Sequence, residues 1–113
     1  MELKLADVAD VHAVGELCAQ SVREYFPALG FSDHQIIAQV EYLSDPASVM
    51  EWIEHGELWV CCQDGELLGV AGLTLNPWSA YFGFHYVYPA GQGVGNALLA
   101  HCMMRAAQAD CRW

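Results

Sequence analysis

Residues 79–110 carry four signals in a fixed order: an aromatic run from Ser79 to Tyr88, a proline at Pro89, the glycine-rich loop Ala90-Gly91-Gln92-Gly93-Val94-Gly95, and an apolar segment reaching Asp110. The β-branched and aromatic content of the first predicts a strand. Pro89 cannot continue a sheet ladder, and the segment from Gly93 to about residue 110 reads as a helix that is apolar nearly all round. A strand that passes through glycines into a helix turns several unpaired backbone N–H groups towards one point, because the first turn of a helix has no internal partners for them. Such a cradle accepts anions, and a diphosphate matches its size and charge.

Two common phosphate loops do not fit. A Walker loop requires Gly-Lys-Ser/Thr at the helix entrance, whereas Gly95 is followed by Asn96 and Ala97. A dinucleotide fingerprint requires a third small residue, but the positions counted from Gly91 and Gly93 are Asn96 and Leu98.

The upstream chain reads as scaffold. Residues 2–5 predict a short strand, and Asp7 is placed to cap a helix, with Asp10 favourably set near its positive end. Val11, Val14, Cys18, Val22 and Phe26 follow at helical spacing on one face, and Pro27 and Gly30 close that helix. A second helix from Ser32 or Asp33 directs Ile36, Ile37, Val40 and Leu43 to the core. Pro46 then opens a short third helix running to Glu54. Residues 57–63 and 66–75 predict a hairpin about the Asp64-Gly65 turn. Gly69 and Gly72 within its second strand imply a bulge or a close approach by a neighbour. In the last helix His101, Arg105 and Gln108 line up as one polar stripe, predicted to face solvent.

At 113 residues the chain makes one domain with one core. Its longest apolar runs are interrupted well short of the roughly 20 residues a membrane-spanning helix needs. The first residues, Met1-Glu2-Leu3-Lys4, lack the pattern of a secretory signal. The net charge of −10 leaves four cations, Lys4, Arg23, Arg105 and Arg112. That sign disfavours nucleic acid and anionic membrane as partners and attracts amines, or it serves solubility alone. The five cysteines have no C-x-x-C spacing and read as buried thiols of a reducing cytoplasm. His12, His34, His55 and His101 share no spacing that would hold a metal.

Val87-Tyr88-Pro89, the loop Gly91-Gln92-Gly93-Val94-Gly95, and Ala97-Leu98-Leu99 together resemble the strand-four, pyrophosphate-loop, helix-three motif of the GNAT N-acetyltransferases. The order of the remaining elements agrees with that superfamily along the whole chain. The resemblance implies an α+β fold, a GNAT-like α/β sandwich with a mixed sheet of about four strands flanked by helices, ending after helix three. It implies acetyl-CoA as co-substrate, held at Val87, Gly91, Gln92, Gly93, Val94, Gly95 and Asn96. The family pattern opens the loop with Arg or Gln where this chain has Ala90, and Lys or Arg is common where it has Gln92. Backbone N–H groups alone must then hold the diphosphate.

The implied reaction is direct attack of an amine on a bound thioester, which needs a carbonyl-polarising N–H, a base and an acid. By strand alternation Tyr81, Gly83, His85 and Val87 share one face, and Phe82, Phe84, Tyr86 and Tyr88 the other. Family members often carry the base on the face of the residue matching Val87, where His85 is the one titratable base. The resemblance thus makes His85 the general base and Tyr81 a candidate acid. Packing roles, a half-buried His85 satisfied by the backbone and an aromatic Tyr81, are the plainer alternatives. Trp52, Trp59 and Trp78 fit an acceptor pocket or a core. The leading expectation is N-acetylation of a small cationic amine. The alternative is a catalytically inactive CoA-binding or protein-interaction module. The family's strands after helix three cover the far edge of strand four. Without them here, a homodimer is expected to cover it through strand four, the last helix or Trp113.

Overall fold

The structure, a computed structural model, describes residues 1–109. Its elements are β1 (Glu2–Leu5), α1 (Val11–Tyr25), α2 (Asp33–Ser44), α3 (Pro46–His55), β2 (Glu57–Gln63), β3 (Glu66–Leu75), β4 (Ala80–Val87) and α4 (Val94–Gln108), with 3-10 turns at Val8–Asp10 and Pro27–Leu29. Each helix of the first half starts where a side chain supplies the missing acceptor. Asp7 and Asp10 form a reciprocal capping box at the turn leading into α1, Ser32 and Gln35 do the same for α2, and Asp45 caps α3 with Pro46 at its first position. Asp64 and Gly65 both take positive φ (54° and 79°), the conformation a two-residue hairpin turn demands, and so join β2 to β3.

The strands form one sheet in the order β1-β2-β3-β4. Among the described residues every pairing is antiparallel, in place of the mixed sheet expected. A parallel neighbour needs a crossover connection; here successive strands join either by a hairpin or, for β1 and β2, through three helices that return the chain antiparallel. The α1–α3 layer covers one face, where Val14, Cys18, Val22, Leu43, Val49, Leu58, Val60 and Val70 are buried. On the other face α4 packs Val94, Leu98 and Cys102 against Cys61, Ala71 and Leu73. The architecture is an α/β sandwich with an independent core on each side of the sheet.

The two glycines of β3 are sites of close approach. A Cβ at Gly69 would lie 2.6 Å from Val94 Cγ1 on α4, and one at Gly72 would lie 2.5 Å from the Trp52 ring on α3. Each glycine lets one helix layer sit down on the sheet backbone.

Two predicted faces differ from the structure. Ile37, expected in the core, is 56% exposed, because α2 lies at the outer margin and buries only Leu43 fully. His101 and Arg105 of the α4 polar stripe face β2 instead of open solvent, while Gln108 is exposed. Arg105 pairs with Glu57 at 2.9 Å, and the His101 ring meets Trp59 edge-on with centroids 4.2 Å apart. The Trp59 indole N–H donates to the same Glu57 carboxylate at 3.0 Å. The exposed side of α4 is apolar, with Leu99, Met103 and Met104 open to solvent. Asp110 and the Trp113 tail lie outside the described residues.

Candidate functional site

The site grows from an irregularity in β4. Across the β3 ladder Gly72 pairs with Gly83 and Val70 with Tyr86, so Phe84 and His85 together oppose Ala71. Phe84 takes φ of 52°, left-handed for a non-glycine residue, which marks a β-bulge. The extra residue shifts the alternation. Upstream of it Ala80 and Phe82 pack with the α4 core, and downstream His85 and Val87 take over that face. Phe84 and Tyr86 face the α1–α3 core, as does Tyr81, which stacks on Trp52 with centroids 6.4 Å apart. Tyr81 therefore lies on the opposite face from His85, contrary to the plain alternation. His85 and Val87 do share a face, as expected.

The outer edge of β4 pairs with no strand among the described residues. The Tyr88 N–H donates inward to the Leu68 carbonyl at 3.0 Å. Successive N–H groups of a strand point to opposite sides, so that of Val87, which pairs with Gly69 in the regular part of the ladder, projects from the open edge. This edge runs straight into the loop. Gly91 and Gly93 take φ of 85° and 75°, and a Cβ at either would meet nothing within 4 Å, so the loop surface above them is open. Gly93 is the N-cap of α4, and the Ala97 N–H is the first to return to it, at 3.0 Å. The N–H groups of Val94, Gly95 and Asn96 come before that first helical bond. Val94 buries its side chain and offers the backbone alone, whereas Gln92 and Asn96 are exposed.

His85 links the strand to the loop. A Cβ at Gly95 would lie 3.3 Å from His85 Nε2 and 3.7 Å from Val87 Cγ1, so the imidazole rests against the first turn of α4. Partial burial there and against Phe82 disfavours the imidazolium and lowers the His85 pKa from its ordinary value. A hydrogen bond with the Gly95 backbone acts in the opposite direction and is the smaller effect. The result is a neutral, partly open imidazole two residues before the outward N–H of Val87.

The sequence did not point to Tyr25. Its phenol oxygen accepts the Ala90 N–H at 2.7 Å, and its ring lies 6.0 Å from that of Tyr88. The last turn of α1 thus fastens the near end of the loop. Position 25 carries no local signal of this, since its partner is 65 residues away. On the other face Trp52 also takes part, lying between Tyr81 and Phe84 and lining a cleft beside Glu51. Trp78 is 84% exposed.

The sequence matches the model of the acetyltransferase (GNAT) family over residues 18–113. Among solved structures, the fold is similar to that of the PaiA N-acetyltransferase of Thermoplasma acidophilum, crystallised with coenzyme A: TM-score 0.83, 14% identity, covering 97% of this chain and 75% of that one. It is similar also to a GCN5-related N-acetyltransferase of Rhodopseudomonas palustris (TM-score 0.84, 20% identity, 97% of this chain and 68% of that one). A ribosomal-protein-alanine N-acetyltransferase of Brucella melitensis gives a TM-score of 0.69 at 20% identity, over 96% and 68% of the two chains. No curated protein sequence matches the chain.

Proposed function

The chain belongs to the acetyltransferase (GNAT) family, with acetyl-CoA as co-substrate, and we propose that it is an N-acetyltransferase acting on a small cationic amine. The observation that carries this reading is the continuity of the open β4 edge with the glycine loop: the outward N–H of Val87 leads directly to those of Val94, Gly95 and Asn96, which precede the first helical bond of α4. The loop donors hold the diphosphate of the co-substrate, with Gly91 and Gly93 keeping their surface free of side chains and Gln92 bordering it. The Val87 edge donor lines the position of the thioester, where its N–H strengthens its bond to the carbonyl oxygen as that oxygen gains charge.

His85 removes the proton from the incoming ammonium. The amine nitrogen then bonds to the acyl carbon, the carbon–sulfur bond breaks, and the thiolate leaves with the electron pair and takes up the proton that the acylated nitrogen sheds. A His85 pKa held below its ordinary value keeps the imidazole in its accepting form at neutral pH. Tyr81, on the other face, lines the acceptor's approach beside Trp52. The net charge of −10 favours a cationic acceptor over an anionic one. The buried free thiols of Cys18, Cys61 and Cys102 fit a cytoplasmic protein.

We assign the open edge of β4 to a second copy of this chain. Leu99 and Met103, 37% and 49% exposed on the α4 flank nearest that edge, extend the surface a copy would cover. The activity is tested by incubating the protein with acetyl-CoA and n-butylamine and measuring free thiol and N-butylacetamide together. Equal release of both supports the reading. Acetyl-CoA binding without turnover of any amine supports the binding-module alternative instead.

A further inference from the structure

Cys62 stands apart from the other cysteines. Of the four among the described residues, Cys18, Cys61 and Cys102 are buried and Cys62 is half-buried. Burial raises the pKa of those three thiols, and the thiolate is the nucleophile, so they are inert.

The β1–β2 ladder sets Cys62 beside a lysine. Glu2 lies opposite Cys62 and Lys4 opposite Val60, and residues opposite one another in an antiparallel pair share a face. Lys4 and Cys62 are therefore diagonal neighbours on the α1–α3 side, where Cys62 packs against the core that buries Val60. Diagonal partners stand about 7–8 Å apart, within reach of a long side chain. Both line a cavity of about 230 Å³ together with Glu2, Asp64 and Gly65. A Cβ at Gly65 would meet nothing within 4 Å, so the mouth beside the hairpin turn is open. The volume is below the usual ligand-pocket range and suits a short acyl group better than a whole cofactor. Lys4 is exposed, pairs with no carboxylate among the described residues, and is the one lysine of the chain.

We propose that Cys62 and Lys4 form an acyl-transfer pair through which a small acyl thioester modifies the chain at Lys4. The Cys62 sulfur bonds to the acyl carbon, the donor's carbon–sulfur bond breaks, and the donor thiolate leaves with that electron pair and takes the proton Cys62 gives up. Lys4 Nζ, having lost its ammonium proton to water, bonds to the same carbon. The bond to the Cys62 sulfur breaks, and that sulfur regains the proton the acylated nitrogen sheds. Holding the amine beside the thioester replaces a collision with an intramolecular step. The route uses neither the glycine loop nor His85, and so goes beyond the reaction proposed above. Its product removes the positive charge from the outer strand of the sheet, where a lysine guards an unpaired edge.

The test incubates the whole chain at neutral pH with acetyl-CoA or with S-acetyl-N-acetylcysteamine, a thioester that has no diphosphate, and maps the peptides by mass spectrometry. Both donors should place one acetyl group on Lys4. Cys62→Ser keeps the side-chain size and should slow that modification about tenfold or more. Lys4→Arg keeps the charge but removes the accepting amine, so the acetyl group should remain on Cys62, from which neutral hydroxylamine releases it. Acetylation of Lys4 at an equal rate in Cys62→Ser, acetylation of the Met1 amine in its place, or no acetyl group at Lys4 or Cys62 each overturns the proposal. Modification by acetyl-CoA alone assigns the event to the glycine-loop site and overturns it as well.

Discussion

The Tyr25 phenol oxygen accepts the Ala90 N–H at 2.7 Å and thereby ties the end of the first helix to the start of the glycine loop. The bond also consumes a loop donor, so the ligand-facing set begins further along. Tyr25→Phe keeps the ring contact with Tyr88 and removes the hydrogen bond alone. A neutral hydrogen bond of this kind contributes about 1 kcal/mol, so acetyl-CoA should bind about fivefold more weakly by calorimetry. Amide exchange at residues 90–93 should rise while that of α1 stays constant. Unchanged affinity would show that the loop holds its shape without α1.

His85→Ala should lower kcat by about 10²-fold or more, the usual effect of removing a general base. The pH profile carries a sign. Burial disfavours the imidazolium, so the proton leaves at lower pH than from a free histidine. The acidic limb of kcat/KM should therefore fall below the ordinary histidine value near 6.5, and the variant should lose that limb. Stability follows the same sign: the unfolded chain binds the proton more readily, so this group's contribution declines as pH drops through that window. An active enzyme whose rate and profile ignore the substitution would return His85 to a packing role.

At Gly93 the backbone is left-handed and the space above it is empty. Gly93→Ala should cost roughly 1 kcal/mol in backbone strain, seen as a lowered melting temperature. Gly93→Glu adds a charge and bulk where the diphosphate lies and should abolish measurable acetyl-CoA binding in the calorimeter. Parental affinity in that variant would remove the loop from the cofactor site.

Gly72→Ala places a methyl group 2.5 Å from the Trp52 ring. The indole has no room to retreat without leaving Phe84 and Tyr81, so the variant should unfold more easily by about 1–3 kcal/mol. Denaturant titration followed by tryptophan emission reads both the loss of stability and the displaced ring. Gly95→Ala, which meets His85 at 3.3 Å, should be milder because the imidazole has a free side.

The open edge of β4 gives an assembly prediction. Light scattering at micromolar concentration should return twice the chain mass, and Met103→Glu, on the exposed flank of α4, should shift the protein towards monomer. A monomer at every concentration would show the edge to be covered in some other way.

Most of the scaffold was readable in the sequence because its signals are local. The Asp7 cap, the helix starts at Ser32 or Asp33 and at Pro46, the Asp64-Gly65 turn and the Val11-Val14-Cys18-Val22 face act over a few positions, and each lies where expected. The features that escaped are set by partners distant in sequence. Phe84 adopts a left-handed φ because pairing with Ala71 absorbs one residue too many, and no glycine announces it. The α4 stripe looked like a solvent face because Glu57 and Trp59, which engage it, belong to a different element. Tyr25 resembled any residue at a helix end. At the site, the pairing of His85 with Val87 was read correctly and that of His85 with Tyr81 was not, since the bulge falls between Tyr81 and His85.

That bulge divides β4 by parity. Even-numbered Ala80 and Phe82 face α4 before it, and odd-numbered His85 and Val87 do so after it. The orientation of His85 is therefore counted backwards from Val87 and the loop, not forwards from the turn at Asn76. A chain that lost Phe84 would regain unbroken alternation and keep His85 on the α4 side, whereas one that lost Tyr86 would turn the imidazole away from Val87. Residues 85–95 thus behave as one inherited unit whose internal spacing cannot change by a single residue, while the strand ahead of it can shorten without altering what the unit presents.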